Sequence, residues 1–334
     1  MGFETMKHFR ISIIFILVPL AFIVASLLVG RYAVGLRDVA ETLFHPAAAT
    51  AENYRVIWYL RLPRAVAASM CGAALASSGA AFQGVFRNPL VNSGLLGVSS
   101  GAGFGACLAI VFLGGGVSTY VLAFTFSLLA VVLSYFAGRV SNVTTSVTLI
   151  LGGVIVSSFF SALISILKYI ADPYSQLPSI TFWLMGSFAS VNYIHFYAFL
   201  PMALGMLLIF LSRWRINVLS MGDREAAAMG VDVRKYRFLI IAGATLATAS
   251  AVCISGTIGW VGLVVPHIGR MLVGNNNVRL IPVSMSLGAC FLTLMDILSR
   301  CISTSEIPIG ILCALIGTPF FVYLLKKTRG GGWT

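Results

Sequence analysis

Charge is scarce in this chain, with 10 acids and 22 bases among 334 residues. Soluble domains carry about a quarter of their residues charged, so so thin an ionic surface excludes one. Lysine is scarcer still, at Lys7, Lys168, Lys235, Lys326 and Lys327. None follows a glycine, which excludes the G-x-x-x-x-G-K-[ST] loop whose lysine meets nucleotide phosphates. No cysteines stand as C-x-x-C; Cys71, Cys107, Cys253, Cys290, Cys301 and Cys313 read as small buried hydrophobes, not as a disulfide framework or a zinc site. There is no basic stripe with interleaved aromatics either, so the net charge of +12 is no nucleic-acid signal. No Ser/Gly-rich or Pro-rich linker and no alignable repeat divides the chain, and 1–334 is expected to be one domain.

What is abundant is apolar sequence: 59% of residues are hydrophobic and the mean hydropathy is +0.97. At about 20 residues per crossing, this predicts an all-α polytopic membrane protein with ten spans. They run approximately over 11–30, 65–84, 95–113, 117–137, 147–168, 193–212, 236–255, 257–273, 280–299 and 308–325, the eighth weakened by Pro266 and His267. The run after Lys7 and Arg10 is too long for a secretion-signal core and reads as the first retained span. With the N-terminus inside, fifteen bases fall on inner segments and seven on outer ones, which supports both termini being cytoplasmic. An odd span count is the main competitor.

Gly97, Gly101 and Gly105 lie four apart, a stripe that lets another helix backbone approach. Gly97-Val98-Ser99-Ser100-Gly101 also fits G-x-S-x-G, but no strand precedes it as the hydrolase elbow requires. An intramembrane protease would have to pair Ser99 with His267. An ion-coupled secondary transporter would bury ionisable groups at mid-membrane, whereas the predicted spans are nearly free of them and Asp296 and Lys168 sit towards span ends. The longest inner loop, about 213–237, can form a short helix that Asp223 caps and Gly230 stops. Its small face, Ala226 to Ala228 with Met229, suits either a groove on a partner or the lipid headgroups, and the residues leave both open.

At this loop the sequence resembles a known family. Met221-Gly222-Asp223-Arg224-Glu225-Ala226-Ala227-Ala228-Met229-Gly230-Val231 is similar to the coupling-helix segment of the iron-complex and vitamin B12 permeases of type II ABC importers. Further segments agree in order: Arg61-Leu62-Pro63-Arg64, Gln83, Asn88-Pro89-Leu90, Leu96 to Ala102, Trp183-Leu184-Met185-Gly186-Ser187, Gly262 to Arg270, Glu306-Ile307-Pro308-Ile309-Gly310, and Gly317-Thr318-Pro319-Phe320. The chain departs from the pattern at Gly274-Asn275-Asn276-Asn277 and at Met295-Asp296.

The resemblance implies a non-enzymatic permease subunit in the bacterial or archaeal plasma (inner) membrane, paired with a second copy of itself. Two cytoplasmic ATPase subunits would hold ATP and Mg, this chain binding no cofactor or metal, and an extracytoplasmic binding protein would deliver the cargo. By similarity, Gly222, Asp223, Arg224, Glu225, Ala226, Ala227, Ala228, Met229 and Gly230 would couple to the ATPase. Asn88, Leu90, Thr145, Ser146 and Val147 would form the cytoplasmic gate. Arg61, Arg64 and Arg300 would dock the binding protein, the plain alternative being ordinary span-end arginines. The expected cargo is a bulky metal chelate, a ferric siderophore or haem, with vitamin B12 and then molybdate or tungstate as alternatives.

Overall fold

A computed structural model describes residues 15–327 apart from 16, 48, 140–145 and 304. Lys7 and Arg10, both termini and the expected gate residue Thr145 lie outside the described residues. Every regular element among the described residues is helical.

Helix α1 (Leu17–Leu28) is followed by the short α2 (Leu36–Phe44) and α3 (Ala51–Tyr54). A π-helical stretch, Arg55–Arg61, then leads straight into α4 (Leu62–Phe86). The bundle continues with α5 (Val98–Leu113), α6 (Val117–Ala137), α7 (Ser146–Ile170) and the ten-residue α8 (Gln176–Met185). A 3-10 turn, Tyr193–Ala198, opens α9 (Phe199–Met221). After it come α10 (Asp223–Ala228), α11 (Val233–Ser255), α12 (Val261–Val273), α13 (Asn277–Cys301) and α14 (Ile309–Lys327).

The count of ten spans is corrected here. Among the described residues, six helical runs are long and apolar enough to cross a membrane: Ala51–Phe86, Val117–Ala137, Val147–Ile170, Tyr193–Met221, Val233–Ser255 and Asn277–Cys301. Leu17–Leu28, Val98–Leu113, Val261–Val273 and Ile309–Tyr323 are shorter apolar helices. Length decides the difference. The 13 residues of α12 rise about 20 Å, short of a hydrocarbon layer of about 30 Å.

Small residues set the packing. Helix α4 is buried almost throughout, and its glycines admit other backbones where a side chain would collide. A Cβ on Gly72 would lie 2.1 Å from the carbonyl oxygen of Gly288 in α13, and one on Gly288 would lie 2.2 Å from that of Gly72. Two turns further along α4, a Cβ on Gly79 would overlap the Gly262 carbonyl of α12. The predicted stripe on α5 behaves alike, with Gly101 and Gly105 set against the Phe126 and Leu122 carbonyls of α6. Without a hydrophobic drive between helices in lipid, such close approach is what dispersion and short contacts can reward.

The expected break at Pro266 is also relocated. Helix α12 runs through Pro266 to Val273, and the chain unwinds earlier, between Gly256 and Trp260. Proline at 266 supplies no amide for the carbonyl four residues back, that of Gly262. The Gln83 side chain supplies it instead, its Nε2 donating to Gly262 O at 3.3 Å and to Val91 O at 3.1 Å. Five of the cysteines are buried as expected, while Cys301 is exposed.

Candidate functional site

The segment between α9 and α11 is built by its two glycines. Gly222 has φ +142°, and a Cβ there would meet the Glu225 carboxylate that folds back over it. Gly230 has φ +78° and ends α10 in a reciprocal pair of bonds: Gly230 N donates to Ala227 O at 3.0 Å and Val231 N to Ala226 O at 3.0 Å. This is the Schellman closure, with the buried pair Ala226 and Val231 as its apolar contact. The capping role expected of Asp223 is corrected. Gly222 holds the N-cap position, and the Asp223 carboxylate instead accepts from Arg237 Nη2 at 2.6 Å, with Arg87 Nη2 at 3.8 Å. Two arginines within reach outcompete a cap that would require Asp223 one residue earlier. Ala226 turns into the bundle, whereas Arg224, Glu225, Ala227, Ala228 and Met229 are left on the surface.

Arg87 joins this segment to the next. It closes α4 in the left-handed region, φ +53°, and the following Asn88 makes an Asx turn in which its Oδ1 accepts from Leu90 N at 2.9 Å. Leu90 is exposed, as is Val147 in the first turn of α7. Ser146 begins α7. The loop from 87 to 97 ends on Gly97, φ +80°, which caps α5; Ser99 is thus in the first turn of a helix and not on an elbow after a strand.

At the opposite end of the bundle the structure changes the picture drawn from sequence. Arg61, Arg64 and Arg300, expected on a docking surface, are 5%, 7% and 7% exposed. Arg61 donates to the carbonyls of Leu27, Leu28 and Tyr32. Arg64 Nε meets Asp296 Oδ1 at 2.6 Å, and its Nη1 meets Glu306 Oε2 at 2.8 Å. Arg300 reaches Asp296 Oδ2 at 3.3 Å and Ser26 Oγ at 2.7 Å. Ions this far from water need partners, and the chain provides them from α1, α13 and the loop before α14. The three arginines are brought together, but not as free surface charges.

Four helix ends meet deeper in the same half. Helix α8 enters after a turn in which Asp172 Oδ1 accepts from the Ser175 hydroxyl and amide, both at 2.7 Å, bonds that hold its carboxyl below the usual range. It stops at Gly186, φ +76°, against the end of α11, where Gly256 has φ +69°. Ser187 N donates to Ser255 O at 2.8 Å and Ile309 N to Gly186 O at 2.9 Å, while a Cβ on Gly310 would lie 2.3 Å from Met185 O. Trp260, φ +68°, starts α12 and packs its ring on Gly317 of α14. The junction escaped sequence reading although Gly186, Gly310 and Gly317 stand inside quoted segments. A glycine shows that a backbone needs room and not which backbone fills it. No group of three or more His, Cys, Asp or Glu side chains suited to a metal occurs among the described residues.

The bundle thus carries an exposed, glycine-bounded helix between two long helices. The profile of the FecCD transport family matches residues 16–327. The chain belongs to that family. It is thereby a permease subunit of the iron-complex and metal-chelate type of ABC importer, a transport component and not an enzyme, and the Ser99 protease reading falls away. Among its relatives, the molybdate import system permease protein MolB of Haemophilus influenzae is 44% identical over 315 residues, covering 92% of this chain and 93% of that one. A probable iron chelatin transport system permease protein of Helicobacter pylori is 39% identical, covering 82% and 83%. A solved inward-facing ABC transporter, provisionally assigned to the metal-chelate type, superposes with a TM-score of 0.85 at 41% identity, covering 95% of this chain and 99% of that one. Family identity supports the general importer architecture of a permease dimer, ATPase subunits and a substrate-binding protein.

Proposed function

We propose that two copies of this chain form the path of an ATP-driven importer for a bulky metal chelate of the ferric siderophore or haem kind. The observation that carries the reading is the exposed α10 surface. A six-residue helix held by Gly222 and Gly230, presenting Ala227, Ala228 and Met229, fits the cleft of a partner that hydrolyses ATP, and this chain has no phosphate loop of its own. In this reading Gly222 to Gly230 lie on the cytoplasmic side and both termini are cytoplasmic. The gate is formed by Asn88, Leu90, Thr145, Ser146 and Val147, and Arg87 joins it to the coupling helix through Asp223. The binding protein docks over the end that holds Arg61, Arg64 and Arg300. The mechanism is alternating access, in which closure of the ATPases moves α10 and α10 moves the gate.

A second cargo has a specific observation behind it, the 44% identity to a permease named for molybdate import. The test is uptake into liposomes by the complete transporter with its binding protein. Ferric siderophore or haem accumulating only with ATP is the expected result. Accumulation of molybdate alone would replace the cargo, and chelate uptake by the permease without ATP would overturn the importer reading.

A further inference from the structure

The charged cluster under the docking face is short of negative charge. Arg300 stands within electrostatic reach of both Arg61 and Arg64, and among the described residues Asp296 and Glu306 are the acids that pair with these arginines. Arg31 adds a fourth base at the rim, donating to the Arg300 carbonyl at 3.2 Å. Arg61 bonds backbone carbonyls and no carboxylate, and Arg64 keeps a buried Nη2 without a hydrogen-bond partner. A low-dielectric cluster with more bases than acids favours any carboxylate that reaches it, so a second acid can compete with Glu306 for Arg64.

The two acids present are not equivalent. Asp296 is on α13 with a side chain 0% exposed, bridging Arg64 and Arg300. Glu306 belongs to the loop between α13 and α14, its side chain is 29% exposed, and it holds only the Nη1 edge of Arg64. One acid is an anchor and the other a cover. The cover is also wired to the junction of helix ends. Ser299 Oγ donates to Ile307 O at 2.6 Å, and two residues later Ile309 N bonds Gly186 O, where the ends of α8, α11, α12 and α14 meet.

We propose that Glu306 is an internal stand-in for a carboxylate of the binding protein, and that its displacement from Arg64 is the step by which docking loosens the start of α14. The inference rests on the docking reading given above and adds to it a competitor built into the permease. An acidic side chain of the incoming protein takes the Nη1 edge of Arg64 from Glu306, one carboxylate replacing another. Glu306 swings outward with its loop, and the strain reaches Ile309 and the Gly186 junction. Without the partner, Glu306 keeps the loop shut, so the transporter does not open on an empty binding site.

The experiment uses the complete transporter in nanodiscs. In the wild type, hydrogen exchange of residues 302–309 should rise when the binding protein is added, because the covering bond is lost. Glu306→Gln, which keeps the shape and removes the charge, should bind that protein about three- to tenfold more tightly and raise ATP hydrolysis measured without it. Unchanged exchange in the wild type, or unchanged affinity and basal hydrolysis in Glu306→Gln, overturns the stand-in while leaving docking in place. If the wild-type permease fails to capture the binding protein even at low salt, the docking reading falls and this inference with it.

Discussion

Gly230 offers a perturbation whose size can be worked from the structure. The residue sits at φ +78°, nothing lies within 4 Å of where its Cβ would be, and its amide bonds Ala227 O. Alanine therefore meets no clash and bears only the left-handed backbone penalty of about 1–2 kcal/mol. Proline cannot reach this φ, being fixed near −65°. It also removes the amide, a loss of about 0.5–1.5 kcal/mol net, and it forces the Ala226–Val231 closure apart. Gly230→Pro is thus expected to undo the end of α10 while leaving the membrane bundle intact, since Gly230 packs against nothing there. The assay is transport per ATP hydrolysed in proteoliposomes, beside the thermal midpoint of the purified permease. Gly230→Pro should retain ATP hydrolysis and lose most uptake, with Gly230→Ala between it and wild type. A proline variant with the wild-type ratio of uptake to hydrolysis would refute the claim that this helix end transmits force.

Other substitutions follow from the packing. Asp296→Ala would leave Arg64 and Arg300 buried without their shared carboxylate, at about 3–5 kcal/mol; a large fall in the melting midpoint in detergent is expected, and a shift near zero would mean that water reaches the cluster. Gly72→Leu would drive a side chain into the Gly288 carbonyl, so correctly folded protein should vanish from size-exclusion profiles. A monodisperse peak at wild-type yield would show that the α4–α13 crossing can open.

The membrane class, the all-helical architecture and the α10 segment were legible because they depend on local composition and spacing. A glycine on each side of Asp223–Ala228 announces a helix with two sharp ends, and the structure has it. The burial and pairing of the arginines were not legible for the opposite reason. Arg64 is paired with Asp296 and Glu306, 232 and 242 residues away, and nothing in the neighbourhood of Arg64 signals them. Span counting overshot where an apolar stretch forms only a short helix: Val261–Val273 is an apolar helix yet 13 residues long, and composition does not show where such a helix begins. Asp223 failed as a cap by a single position, which lies within the uncertainty of any helix start read from sequence.

The reciprocal seat of Gly72 and Gly288 has a mechanical consequence. Each carbonyl occupies the space the other residue's missing side chain leaves, so the two helices can neither slide nor separate without losing both contacts. Gly79, two turns along, fastens the same helix to α12 in the same way. Helices α4, α12 and α13 are therefore fastened to one another as a unit at these two crossings.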